Sequence, residues 1–160
     1  MNKEYKFEDL IQSFNVLEWT GKVISSMAIK RLGHPYSQKL RGKENYVDCS
    51  YLVWWAYKQA GVNIPLVSDK QAKYCFENHF NIDKTELQAG DLIFWKNLSC
   101  SCNPCKHWRN IHHVAIYIGN GMIIDTSSKK GKVVKRKIWS ENGEKWFIHS
   151  YGRPYLNKVR

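Results

Sequence analysis

A single α+β domain with a largely antiparallel sheet is predicted by three features of the chain. Helical spacing of apolar residues is confined to its first half, strand-like segments fill its second, and no repeat or linker separates them. The 160 residues match one domain at about 150 residues per domain, with enough chain to bury a core without disulfides. The expected domain therefore runs over 1–160.

Two helices are expected first, one around Phe7, Leu10, Ile11 and Phe14 and one from Thr20 to Leu32 carrying Val23, Ile24 and Met27, with Gly33 and Pro35 ending the second. The clearest helix follows. Asp48 is a good N-cap, Cys49, Leu52, Val53, Ala56 and Ala60 recur on one face, and Gly61 suits the C-terminal end. After Pro65 a short helix is expected over Gln71–Phe76, then a turn at Leu87–Asp91 and a strand at Leu92–Trp95. The best hairpin pairs Val114–Ile118 with Met122–Thr126 across Gly119-Asn120-Gly121, and further strands are expected at Lys132–Lys137 and Phe147–Tyr151.

Composition narrows the class. Hydrophobic residues make up 43% and charged residues 24% of the chain, a globular balance that excludes a disordered chain, and a mean hydropathy of -0.53 leaves no room for a transmembrane span. Twenty-five Lys and Arg against 14 Asp and Glu leave a net charge of +11, so polyanions are attracted. Acidic residues at Glu4, Glu8 and Asp9 interrupt the stretch where a secretory signal has its apolar core, so no export signal is expected, and the location read from it is cytoplasmic or reached by a signal-independent route. Five cysteines are an odd number, which excludes a full set of intrachain disulfides and favours a reducing compartment.

A thiol attacks only when ionised, and a helix N-terminus, with its unpaired N–H groups, is one place that favours the thiolate. Cys49 occupies such a place. A histidine beside it would complete the pair needed for acyl transfer, and His113 stands at the start of the strongest strand. Read alone, Cys49 is equally a small buried core residue.

The surrounding segments carry more. Leu32-Gly33-His34-Pro35-Tyr36, Asp48-Cys49-Ser50-Tyr51-Leu52-Val53 with Tyr57 to Pro65, Leu87-Gln88-Ala89-Gly90-Asp91-Leu92-Ile93-Phe94 and His113 to Gly121 occur in an order and spacing that resembles the NlpC-type cell-wall peptidases, a branch of the papain-like cysteine peptidases. The resemblance covers roughly residues 20 to 155. It implies a papain-like fold whose nucleophile helix packs on the sheet, and a hydrolase cutting amide bonds of peptidoglycan stem peptides or muropeptides, commonly after a D-glutamyl residue linked through its side chain. Carried over by position, Cys49 resembles the nucleophile, His113 the base and Asp125 the group orienting the base, while Tyr36, Asp48 and Ser50 match positions that line the pocket and hold the free amine of the stem peptide. No cofactor is implied for this chemistry. The chain departs from the family where Tyr51 replaces the usual glycine, where Ser37 to Gly42 replaces an aromatic-Gly-Gly stretch, and in a long insertion at about 96–112.

Strand parity tests the base and its orienter independently. A two-residue Asn120-Gly121 loop would make opposed positions sum to 241 and turn His113 and Asp125 to opposite faces. A three-residue loop makes the sum 240, pairs Ile118 with Met122, Ile116 with Ile124 and Ala115 with Asp125, and brings His113 and Asp125 together as diagonal neighbours, with small Ala115 leaving room for the cysteine helix. His112 is then expected on the other face, at the surface or cleft rim.

Two segments remain. Cys100, Cys102, Cys105 and His107 offer three thiolates and an imidazole, the ligand types of tetrahedral zinc, and a structural zinc bracing the inserted loop is one reading. Free thiols or one local disulfide are the other. From Lys129 to Lys137 six of nine residues are Lys or Arg, a solvated strand pair or an attractor for anionic wall polymers near the cleft. Two alternatives to peptidoglycan hydrolysis stand beside it: the same thiol chemistry applied as an acyltransferase or amidase to another substrate, and a basic nucleic-acid-binding module with a zinc knuckle and stacking aromatics.

Overall fold

The structure, a computed structural model, describes residues 6–102, 104–139, 141–142 and 145–160. Residues 1–5 of the expected domain and Asn103 of the expected insertion lie outside them. Helix α1 spans Phe7–Lys30 as one continuous element where two were expected. Nothing between Phe14 and Thr20 breaks a helix, and Thr20 turns its hydroxyl back to the Val16 carbonyl at 2.7 Å, within the helix itself. Only its C-terminal half packs: Thr20, Gly21, Ile24, Ser25 and Ala28 are buried, while Phe7, Leu10, Ile11, Phe14 and Trp19 are exposed. Gly21 permits the close approach of the turn before the sheet, since a Cβ there would run into the Ala89 carbonyl.

Helix α2 spans Cys49–Gln59. The Asp48 carboxylate caps it by accepting the Tyr51 N–H at 2.8 Å, and Gly61, at φ 73, lets the chain leave it. Helix α3 spans Ser68–Glu77, longer than expected at both ends. The strands are β1 (Asn81–Ile82), β2 (Leu92–Asn97), β3 (Ile111–Gly119), β4 (Met122–Ser127), β5 (Lys132–Lys137), β6 (Glu141–Asn142) and β7 (Trp146–Gly152). Among the described residues they form one sheet in the order β1-β7-β2-β3-β4-β5, with β6 added to β7 and every pairing antiparallel. The short β1 and β6 were not expected, because two residues carry no readable period.

Alternation divides the sheet side chains between two clusters. Leu92, Phe94, Val114, Ile116 and Ile124 pack with Ile24, Leu52, Val53, Ala56 and Tyr57 of the helices in the main core. Ile93, Trp95, Ala115 and Ile123 form a second cluster with Tyr117, Trp139 and Trp146. Ala115 therefore belongs to the second cluster, and it is not the clearance for the cysteine helix that the hairpin argument assigned to it.

The β3–β4 register is Ile116↔Ile124 and Tyr117↔Ile123, sums of 240, but Met122 pairs with Gly119 and the ladder slips by one between Tyr117 and Gly119. The turn is thus the two-residue Asn120-Gly121, with φ of 54° and 71°, preceded by a bulge in β3 that leaves Ile118 without the expected Met122 partner. The bulge restores the parity that the tight turn would have inverted. A second slip lies at the start of β3, where Trp95 pairs with His113 and Lys96 with Ile111, making His112 the extra residue.

The Gly90-Asp91 turn is clamped to the C-terminus. Asp91 is fully buried and accepts from Arg153 Nε at 2.9 Å and Nη2 at 2.8 Å, from Tyr155 Oη at 2.6 Å and from the Gln88 N–H at 2.8 Å. Burial raises its carboxyl above the ordinary value, against the lowering effect of these bonds.

Candidate active site

Cys49 is the first residue of α2 and is half-buried against the main core. His113 meets it from β3. Its Nε2 lies 2.8 Å from Asp125 Oδ2, which leaves Nδ1 for the thiol. Burial pushes the imidazole pKa down, but the Cys49 charge, hydrogen bonds to Asp125 and Cys49 and the Asp125 charge outweigh it and raise the group to about 9.

Asp125 is fully buried, so its charge needs partners. They are His113, Arg136 in a two-pronged contact with Nε 2.9 Å from Oδ1 and Nη2 2.7 Å from Oδ2, and the Trp139 indole N–H at 3.4 Å. Burial favours the neutral acid, yet the bonds from His113 and Arg136 and their charges hold the carboxyl below the ordinary carboxylate range. Aromatic rings wall the imidazole: Trp95 lies 5.4 Å, Trp139 5.6 Å and Trp146 6.3 Å from it between centroids. Trp95 and Trp139 stack at 4.4 Å, and Trp95 Nε1 donates to the Trp139 carbonyl at 2.9 Å.

Tyr36 is carried to the same place by two isolated bridges, Pro35 with Lys132 and Tyr36 with Val47. Burial first, then the charges of Cys49 and Asp48, raise its phenol above the ordinary value. Asp48 and Ser50 are buried and are tied to each other at 3.3 Å and to Arg41, whose Nη1 lies 2.9 Å from Asp48 Oδ2 and 3.3 Å from Ser50 Oγ. Two of the three departures from the family pattern meet here. Arg41 comes from the 37–42 segment, and Gly42 of that segment sits under the Tyr51 ring, where a Cβ would come to 3.1 Å.

The cysteine-rich loop gathers differently from expectation. Cys100, Cys102 and Cys105 come together with His112, whose Nε2 is 3.4 Å from Cys105 Sγ. His107 turns its Nδ1 toward Asp69 Oδ2 at 3.8 Å. His112, placed at the cleft rim by parity alone, instead faces the thiols, because the bulge frees it from the regular ladder. All five cysteines are free, and burial pushes the Cys75 thiol far up, leaving it inert.

The NlpC/P60 family model matches residues 33–152. The chain belongs to the NlpC/P60 family. Among curated relatives it is 29% identical over 106 residues to the bifunctional muramidase/DL-endopeptidase CwlT of Bacillus subtilis, covering 66% of this chain and 29% of CwlT. It is 28% identical over 132 residues to the murein DD-endopeptidase MepH of Escherichia coli, covering 82% of this chain and 44% of MepH. The chain thus spans less than half the length of either. The solved structure of the peptidoglycan hydrolase RipB from Mycobacterium tuberculosis superposes with a TM-score of 0.66 at 23% identity, over 96% of this chain and 74% of that one, which establishes the α+β NlpC/P60 fold.

Within this NlpC/P60 domain the sequence reading missed Arg136, counted among six cations of a basic run, and the three tryptophans around His113. Strand alternation carried a signal for Arg136: it pairs with Ile123, two residues from Asp125, and shares the face of both. The tryptophans come from three strands or their flanks, and no local pattern joins them.

Proposed function

We propose that this chain is a cysteine hydrolase that cuts amide bonds of peptidoglycan stem peptides or muropeptides, on the carbonyl side of a D-glutamyl residue, through Cys49, His113 and Asp125. The observation that carries the reading is the imidazole of His113 set between the Cys49 thiol and a buried carboxylate 2.8 Å from its other nitrogen. The Cys49 thiolate attacks the amide carbonyl, and backbone N–H groups at the start of α2 stabilise the oxyanion. His113 gives its proton to the leaving amine as the C–N bond breaks, then takes a proton from water, whose oxygen releases the acyl group and returns the thiol. Asp125 holds the ring, and Arg136 keeps Asp125 ionised. The DL-endopeptidase and DD-endopeptidase names of two relatives support a stem-peptide substrate and differ in the bond. Incubation with purified muropeptides and mass spectrometry of the fragments tests this: a new amine at the D-glutamyl bond is expected, and intact muropeptides, or cleavage unchanged in Cys49→Ala, would overturn it.

Tyr36, Asp48 and Ser50 line the pocket for the stem peptide, and Arg41 alters it. An incoming ammonium must displace the guanidinium from Asp48, so Arg41→Ala is expected to lower KM several-fold for peptides with a free amino terminus and to leave N-acylated peptides unchanged. Equal effects on both would remove Arg41 from the subsite. Exposed Lys129, Lys130 and Lys132 beyond β4 suit anionic wall polymers.

The pH profile follows from His113. The imidazolium is present below about 9 and is lost as pH rises through that value, taking with it the acid for the leaving amine. Turnover of a small peptide should therefore fall on a basic limb near 9. In Asp125→Asn, which removes a charge that raises the group, the limb should move to lower pH; an unmoved limb would detach it from His113.

A further inference from the structure

We infer that Cys100, Cys102, Cys105 and His112 form a structural zinc site that braces the β2–β3 loop against the strand bearing His113. The site is independent of the hydrolase reading, because none of its four residues takes part in the thiol chemistry and its occupancy is measured without a substrate.

The geometry has two parts. The three Sγ atoms and a ring nitrogen of His112 lie within 4.8 Å of one another, with Cys100 Sγ 2.8 Å from Cys102 Sγ and Cys105 Sγ 3.4 Å from His112 Nε2. Zinc held by three thiolates and one imidazole at about 2.0–2.3 Å places its ligand atoms about 3.5–3.8 Å apart, within the range that small rotations of these side chains span. Soft thiolates with one imidazole select zinc over calcium or magnesium. On binding, the three thiols release their protons, and zinc with three thiolates and a neutral imidazole carries one net negative charge in a chain of net charge +11.

The surroundings fit a brace. The described residues of 98–107 form no strand, and the loop ends are held separately: the Leu98 N–H reaches the Lys145 carbonyl at 3.0 Å, and the Trp108 N–H reaches Asp69 Oδ2 on α3 at 3.0 Å. Between these anchors the sequence Ser99 to His107 carries no large aliphatic or aromatic hydrophobe, and a loop without such residues is where a metal replaces a core. The fourth ligand comes from outside the loop. His112 is the extra residue of the β3 bulge, so its imidazole is available to the thiols while Ile111 stays in the main core and His113 keeps its face. The His107 ring packs edge-on against His112 at 4.4 Å, a neighbour that limits the ring's rotation, and His107 is assigned no ligand role.

The test uses the full chain purified under reducing, zinc-replete conditions. Elemental analysis is expected to find about one zinc per chain, retained in Cys49→Ala and His107→Ala and lost in Cys105→Ser and His112→Ala. Cobalt substitution of the unaltered chain should give the intense visible bands and thiolate-to-metal charge transfer of a tetrahedral thiolate site, which keeps the inference testable should a variant fail to fold. Iodoacetamide should label Cys100, Cys102 and Cys105 only after chelation. Absence of zinc and of the cobalt spectrum, a disulfide among the three cysteines in the reduced preparation, or zinc that survives His112→Ala but not His107→Ala would each overturn the site as assigned.

Discussion

Cys49→Ala is expected to lower hydrolysis of a stem peptide by about four orders of magnitude or more, and His113→Ala by a similar factor, because each removes a member of a unit whose parts act in the same bond-breaking step. The double variant should be no worse than either single one. Cys49 sits half-buried at a helix start and its removal deletes one sulfur, so the fold should persist; near-ultraviolet circular dichroism of both variants controls for that. Asp125→Ala should lose less, about 100-fold, since an orienting group acts through the base it serves. Arg136, only partly exposed, would then keep its charge at the surface. Residual turnover in Cys49→Ala within 100-fold of the parent would end the thiol mechanism.

The largest effect on stability is expected far from the thiol. Arg153→Met should cost about 3–5 kcal/mol, because it leaves the fully buried Asp91 carboxylate without its two-pronged partner. Tyr155 and the Gln88 N–H remain, and neither brings a positive charge. The paired replacement Asp91→Asn with Arg153→Met should recover part of the loss, since it removes the stranded charge together with its partner. Urea unfolding of the parent and the two variants measures this. A single variant as stable as the parent would show that the clamp contributes nothing, whereas a double variant as unstable as the single one would place the cost in lost packing of the Arg153 stem.

Much of the frame and of the site was legible in the chain. Helix caps at Asp48 and Gly61, alternation in β3 and β4 and the ordered motifs lead to α2, the hairpin and the juxtaposition of His113 with Asp125, because these depend on local spacing. The hairpin also shows the limit: the body register agrees with a sum of 240, but a tight turn plus a bulge produces it, where a three-residue loop was expected. Parity alone does not distinguish two routes to one register. What depends on packing between distant segments was hidden. The Asp91 clamp joins residues 62 positions apart, the tryptophans converge from separate elements, and the choice of His112 over His107 rests on a bulge that no local pattern announces. The exposed apolar residues of α1 show the converse, since helical spacing at Phe7 to Phe14 marks a helix without placing its apolar face in the core.

The bulge at His112 has a further consequence for how this strand can be edited. Trp95 and Lys96 continue their pairing with His113 and Ile111 as though His112 were not there, so the residue is supernumerary to the ladder. Excising it should leave the facing of both neighbours unchanged and cost the strand no pairing, whereas excising any single residue between His113 and Tyr117 would invert everything on one side of the cut. A sheet can thus carry one more side chain without moving the residues that already have a task.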